Sequence, residues 1–256
     1  MIILITNDDG IYSSGLNILA DRMREAHDVW IAAPDQERSA VSHGITFLDP
    51  VRFVRTGAQT YMCSGTPADC ILYALHGAVP VRPDVVISGI NHGVNVGTDI
   101  VYSGTVAAAR QASFIGVPGI AVSAQTGETG CAFEAAAELI CQELDRLTQL
   151  WSPQVVININ VPTTYDVANG MVLAHPALST EENFLEVYKR GEDDLFYFLS
   201  GWERNHVKQE HPSNDVEVLK SGMASISPIL IRPVVHHESM EHFARFYAPG
   251  HAASEQ

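Results

Sequence analysis

Residues 1–15, MIILITNDDGIYSSG, decide the fold, because a short apolar run ends abruptly in a polar turn. The run at 2–6 has the length and the β-branched residues of a buried strand. Apolar residues recur at helical spacing over 14–26, so the sequence predicts a strand followed directly by a helix. The adjacent carboxylates Asp8 and Asp9 stand where the strand ends, and a partly desolvated pair of this kind needs a cation beside it.

The alternation of strands and helices continues through the first two thirds of the chain. Strands that are apolar throughout are typical of a parallel sheet covered by helices on both faces. The sequence therefore predicts an α/β fold with a doubly wound, mostly parallel sheet. The expected strands lie at 28–34, 83–89, 119–124 and 154–162, a hairpin near 45–63, and the helices at 66–77, 103–114 and 131–150.

The pattern changes after about residue 165, where strand-like segments follow one another without long helices. We divide the chain into an α/β core at 1–165, which contains the candidate site described below, and a C-terminal β-rich arm with a terminal helix at 166–256. The arm is expected to make oligomer contacts and to complete the core. Its strand-like segments lie at 170–175, 194–202 and 223–231, and the helical pattern of the tail lies at 234–247.

Composition narrows the classes of partner. The 256 residues include 15 basic and 30 acidic side chains, which gives a formal net charge of -15. Long nucleic acids and anionic membranes bind mainly through Lys and Arg, so neither is an expected partner. The sequence has no apolar run of membrane-spanning length, no export signal, and four cysteines without metal-type spacing. We expect a cytoplasmic protein with reduced thiols.

Polar residues that follow three of the predicted strands are the candidates for a site. The first strand leads to Asp8 and Asp9, the second to the loop at 34–44, and the third to the loop at 89–105. In a doubly wound sheet these loops open on the same edge. Two carboxylates combined with hydroxyl and amide oxygens suit Mg²⁺ or Mn²⁺ better than zinc. The alternative is that the acidic pair only caps the next helix or braces the turn.

The loop at 89–105 adds a possible anion site. Its glycines allow close approach of the backbone, and Asn91 and Asn95 supply neutral amide groups. Ser103, Gly104 and Thr105 open a helix, whose free N–H groups and dipole attract an anion without Lys or Arg. A metal and a phosphate would then share one edge of the sheet. The alternative is a glycine-rich loop with ordinary helix capping by Ser103 or Thr105.

Five motifs, in this order and spacing, resemble the SurE family, the survival-protein-E nucleotidases. They are ITNDDG at 5–10, APDQERSAVS at 33–42, SGTPADC at 64–70, PDVVISGINHGVNVGTDIVYSGTVAAA at 83–109 and GVPGIAVS at 116–123. The resemblance implies a Rossmann-like core and a metal-dependent phosphomonoesterase that acts on nucleoside monophosphates. It also implies a homodimer or homotetramer with an exchanged C-terminal arm.

The site residues of the family carry over onto matching positions. The resemblance implies a metal site of Asp8, Asp9, Ser39 and Asn91, and a phosphate site of Asn95, Ser103, Gly104 and Thr105. Asp8 and Asp9 are also the candidates for a catalytic base or nucleophile. This chain departs from the family pattern at Thr98, where an acidic residue is common. A sensor that binds nucleotide and metal without hydrolysis is the alternative function.

Overall fold

The structure is a computed structural model that describes residues 1–127, 130–190, 194–206, 213–235, 239–241 and 243–244. The strands are β1 (Ile2–Thr6), β2 (Asp28–Pro34), β3 (Phe53–Gly57), β4 (Thr60–Cys63), β5 (Val85–His92), β6 (Gly119–Ala124), β7 (Thr126–Gly127), β8 (Gly130–Cys131), β9 (Val155–Val161), β10 (Met171–Leu173), β11 (Ser179–Lys189), β12 (Leu195–His206) and β13 (Ala224–Leu230). The helices are α1 (Ser14–Arg24), α2 (Pro67–Tyr73), α3 (Asp99–Tyr102), α4 (Gly104–Phe114), α5 (Phe133–Leu150) and α6 (Asp215–Lys220). A π-helical turn over Ala74–Ala78 extends α2, and a 3₁₀ turn covers Val167–Asn169.

The central sheet has nine strands in the order β10-β13-β9-β6-β5-β1-β2-β4-β3. The six strands from β9 to β4 run parallel to one another, whereas β3 is antiparallel to β4 and β13 is antiparallel to β9. The predicted mostly parallel α/β sheet is therefore confirmed. The centre of the sheet consists of β5 and its neighbours β1 and β6. Helices cover both faces of these strands, which is why their sequences are apolar throughout.

Helices cover both faces of the sheet, as the doubly wound prediction requires. Ile3 and Ile5 of β1 point into a core that contains apolar residues of α1 and α5. Leu4, between them, points into a second core formed with α2 and α4. Successive side chains of a strand face opposite sides, so each face carries its own apolar layer. Among the described residues, no helix is long and apolar enough to cross a bilayer.

The C-terminal part of the chain contributes to two different sheets. Strands β10 and β13 extend the central sheet at the edge formed by β9. Strands β11 and β12 pair only with each other, as an antiparallel hairpin, within the described residues. The division of the chain at residue 165 stays a prediction. Half of the predicted tail helix at 234–247 falls outside the described residues. Of the described half, residues 239–241 and 243–244 are helical and residues 234–235 are not.

Candidate active site

The three loops that follow β1, β2 and β5 meet in an open cleft at one edge of the sheet. The cleft has a volume of about 210 Å³ and is lined by residues of all three loops, including Asp8, Ser39, Asn91, Asn95 and Ser103. The structure therefore brings these sequence candidates together, as expected for the carboxyl ends of parallel strands.

Asp8 is buried and is held by the first turn of α4. Its Oδ2 accepts a hydrogen bond from the N–H of Thr105 at 3.1 Å, and its Oδ1 accepts one from the Thr105 hydroxyl. This contact depends on Gly104, because a Cβ there would lie only 2.9 Å from both Cβ and Oδ2 of Asp8. The carboxylate is thus fixed in orientation by a residue 97 positions away in the chain.

Asp9 is held by the last residue of β5. Its Oδ2 accepts a hydrogen bond from the N–H of His92 at 3.2 Å. Within the part of the chain that the structure describes, neither Asp8 nor Asp9 forms an ion pair with Lys or Arg. Desolvation by burial raises the pKa of Asp8 to about 6, and the neighbouring charge of Asp9 adds to that increase. Burial likewise raises the pKa of Asp9, while the His92 N–H opposes the increase.

The acidic pair does not cap α1 or brace the turn that follows β1. Ser13 is the N-cap residue of α1, and the turn is held by Asn7, whose Nδ2 donates to the Gly10 carbonyl at 3.0 Å and to Ser13 Oγ at 2.6 Å. Gly10 has a positive φ of 95° and packs closely on the next loop. Asn7 therefore supports the turn. Of the two carboxylates that follow it, Asp8 lines the cleft, whereas Asp9 is not among the lining residues and contacts the cleft residue His92.

Ser39 and Asn91 add neutral oxygens to the two carboxylates. Ser39 is exposed and its hydroxyl donates to Glu37 Oε1 at 2.9 Å. Asn91 donates from Nδ2 to the Gly93 carbonyl at 2.8 Å, so its Oδ1 is not used in that bond. No group of three or more His, Cys, Asp and Glu side chains suited to a metal occurs among the described residues. The available donors are hard oxygens, which fit Mg²⁺ or Mn²⁺.

The start of α4 combines capping with a possible anion contact. Ser103 is the N-cap residue, because its Oγ accepts from the N–H of Val106 at 3.1 Å, and it also lines the cleft. The two hydrogen-bond donors of Thr105, its backbone N–H and its hydroxyl, both donate to Asp8. The N–H of Gly104 is then the amide in this turn that neither Asp8 nor Ser103 binds. Sequence reasoning missed the bond between Thr105 and Asp8, since no local pattern links residues so far apart.

Other residues around the cleft have simpler positions. His92, Asp99 and Tyr102 also line it. His43 is not part of the lining, and its Nε2 pairs with Gln111 Oε1 at 2.9 Å. Tyr12 is 79% exposed and is not part of the lining either.

Comparisons with known proteins give a consistent result over nearly the whole chain. The model of the family described as survival protein SurE matches residues 3–182. The chain is 39% identical over 256 residues to the protein named 5'-nucleotidase SurE of Alkaliphilus metalliredigens, with 96% of each chain covered. It is 36% identical over 241 residues to the protein of that name from Haemophilus influenzae, covering 93% of this chain and 94% of the other. It is also similar to the crystal structure of the SurE protein from Aquifex aeolicus, with a TM-score of 0.81, 26% identity, and coverage of 96% of this chain and 99% of that one.

Proposed function

This chain belongs to the SurE family, and we propose that it is a metal-dependent 5'-nucleotidase that hydrolyses nucleoside monophosphates to nucleoside and phosphate. The observation that carries the proposal is the pair of adjacent, desolvated carboxylates at the end of β1, which have no Lys or Arg partner among the described residues and of which Asp8 lines a cleft that also contains Ser39, Asn91 and Asn95. Two such carboxylates are stable together when a divalent cation offsets their charge.

The metal is Mg²⁺ or Mn²⁺, and Asp8, Asp9, Ser39 and Asn91 would hold it. Support comes from the donor set, which consists of two carboxylates, a hydroxyl and an amide oxygen and contains no thiol or imidazole. When bound, the divalent cation supplies positive charge that offsets the carboxylates and the phosphate and promotes attack by water.

The protein's own groups orient the reaction. Thr105 holds both oxygens of Asp8, whereas the described contact of Asp9 uses only Oδ2. We therefore assign to Asp9 Oδ1 the proton released by the attacking water. The phosphate lies against Asn95, Ser103 and the N–H of Gly104, whose dipoles stabilise the charge that develops on its oxygens. Thr105 acts here through Asp8 rather than on the phosphate.

The functional unit is a homodimer or homotetramer that exchanges the C-terminal arm. The hairpin of β11 and β12 forms a sheet of its own, and its exposed aromatic residues include Tyr188, Phe196 and Phe198. Such a surface is suited to burial against a second copy of the chain. Light scattering of the purified protein measures the oligomer, and deletion of 179–206 is expected to shift it to the monomer. The cytoplasmic location stays a prediction from the sequence.

The test of the activity is phosphate release from a panel of nucleoside 5'- and 3'-monophosphates, with Mg²⁺ or Mn²⁺ and with a chelator. We expect metal-dependent release that the chelator abolishes. Hydrolysis that persists in the chelator would exclude the mechanism. Nucleotide binding without release of phosphate would instead identify the metal-dependent sensor.

A further inference from the structure

Asn95 is anchored in the cleft by side chains from β6 and β9. Its N–H donates to Asn160 Oδ1 at 2.7 Å, and its carbonyl accepts from the side-chain amides of Asn158 at 2.9 Å and Asn160 at 3.1 Å. Its own Nδ2 donates to Ser123 Oγ at 2.8 Å. These bonds hold the backbone and the side chain of Asn95 at the same time.

A second anchor lies two residues further along the loop. The N–H of Gly97 donates to Asp215 Oδ2 at 2.8 Å, and Asp215 is the first residue of α6 and is fully buried. Between the two anchors, Val96 is buried and packs in a small apolar cluster with Val216 and Leu219 of α6. The segment 95–97 is therefore fixed from both ends by residues more than 60 positions away.

Strand β9 carries two buried asparagines, Asn158 and Asn160, where apolar side chains would cost less free energy to bury. Asn158 and Asn160 alternate along β9 with the apolar residues Ile157 and Ile159, yet all four are buried. A buried amide loses solvation free energy unless it is hydrogen-bonded, whereas an apolar side chain at the same place does not. The donors of both asparagines go to the carbonyl of one residue, Asn95. Holding the loop in one conformation explains why polar residues occupy this strand.

We propose that Asn160 and Asp215 are positioning residues for phosphate binding, and this proposal rests on the nucleotidase function proposed above. Nδ2 of Asn95 carries two hydrogens, of which Ser123 takes one; no other residue in the described ranges takes the second, which can meet a phosphate oxygen in the cleft. Asn160 sets where that hydrogen lies by fixing both backbone groups of Asn95. Asp215 limits the movement of the loop at Gly97. The C-terminal part of the chain thus supplies part of the precision of the site.

The test is the inhibition constant of inorganic phosphate, measured together with kcat and KM for a nucleoside 5'-monophosphate in Mg²⁺. We expect Asn160→Ser to raise the inhibition constant and KM about tenfold, with a smaller change in kcat. The affinity of the substrate-free protein for Mn²⁺ stays within about twofold, because different residues hold Asp8 and Asp9. Asp215→Asn gives the same pattern and decides the matter if Asn160→Ser does not fold, because the amide keeps its one oxygen for the N–H groups of Ala177 and Val216 and turns its NH2 group toward the Gly97 N–H.

A double-mutant cycle separates positioning from general destabilisation. In an Asn95→Ala background, Asn160→Ser causes no further loss of phosphate affinity if it acts through the Asn95 side chain. Ser225→Ala is the matched control, since Ser225 is buried on β13 opposite Asn160 and its hydroxyl has no hydrogen-bond partner in the described part of the chain. It should leave the inhibition constant unchanged.

Three results would overturn the positioning role alone, in a wild-type protein that hydrolyses nucleotides. The first is an unchanged inhibition constant of phosphate in both Asn160→Ser and Asp215→Asn. The second is an unchanged inhibition constant in Asn95→Ala. The third is a double variant in which the fold losses of phosphate affinity of Asn95→Ala and Asn160→Ser multiply. A wild-type protein that releases no phosphate from any monophosphate overturns the proposed function first, and the positioning role with it.

Discussion

The two sides of the cleft are built on opposite principles. On the acidic side, Asp8 and Asp9 are neighbours in the chain, and desolvation by burial raises the pKa of both, while no Lys or Arg among the described residues pairs with either. On the amide side, Asn95 is neutral and its hydrogen-bonding groups are matched by buried partners from distant segments. The acidic side has no cationic partner from Lys or Arg among the described residues, whereas on the amide side buried protein groups hold the backbone of Asn95 and leave one Nδ2 hydrogen for a ligand. We therefore expect a cation to stabilise the acidic side and preorganisation to serve the amide side.

The largest effect should come from removing the metal. A chelator is expected to abolish phosphate release, and adding back Mg²⁺ or Mn²⁺ should restore it. Because only the folded state brings the four oxygen ligands together, a metal at about 100 times its Kd stabilises the fold by about 2.7 kcal/mol. Thermal unfolding with and without the metal measures this. An unfolding temperature that is the same with and without the metal would contradict the expectation that a cation stabilises the acidic side of the cleft.

Asp9→Asn should lower kcat by about three orders of magnitude, since it removes a negative metal ligand and the proposed proton acceptor. The side chain keeps its size and its carbonyl still accepts from the His92 N–H, so the fold should persist. The same substitution relieves repulsion with Asp8, and the metal-free variant should unfold at a temperature equal to or above that of the wild type. Circular dichroism and phosphate release check the two expectations, and full activity would exclude the assigned site.

The metal-free protein should lose stability as the pH rises from about 4 to 6. The folded-state pKa of Asp8 is about 6, above its unfolded value, so the native state holds a proton that the unfolded chain releases. At about 1.4 kcal/mol per pKa unit, up to about 3 kcal/mol of the free energy of unfolding is present below this range and lost above it. Denaturant unfolding at several pH values in chelator measures the change. In Asp8→Asn the dependence should flatten, and a wild-type profile without this fall would contradict the prediction.

The smallest effect should come from Thr105→Val, which removes the hydroxyl bond to Asp8 and retains the N–H bond. One hydrogen bond to a charged group corresponds to about 1.5–3 kcal/mol, so kcat/KM should fall by a factor of about 10 to about 150. Thr105→Ser keeps the hydroxyl and is expected to recover most of the activity. If Thr105 bound the phosphate instead, the valine variant would weaken phosphate inhibition and leave the affinity for Mn²⁺ unchanged.

Much of the architecture could be predicted because its cause is local. The apolar runs that became β1, β5, β6 and β9 are too hydrophobic to lie elsewhere than in the middle of a covered sheet. The convergence of the loops after β1, β2 and β5 follows from the parallel order of these strands. The hairpin partner β11 was missed, and β10 and β13 were assigned to an arm that the sequence could not place against β9.

The finer assignments of the site needed contacts between distant segments. Ser103 is both an N-cap and a wall of the cleft, so the two interpretations of its motif were compatible. Thr105 belongs to a predicted phosphate turn, yet its donors serve Asp8. Asn160 and Asp215 have no motif that marks them, because their roles are defined only by where Asn95 and Gly97 lie in the fold.

By itself, the sequence determined the sheet, the edge at which polar residues gather and the oxygen-rich character of that edge. Periodicity, strand order and residue chemistry are properties that a linear pattern carries. Only the tertiary structure decided which hydrogen bonds orient Asp8 and Asn95, since each bond joins residues from separate segments. Hydrogen bonds depend on distances of a few tenths of an ångström and on angles, and those are set by packing of the whole chain rather than by any one stretch of it.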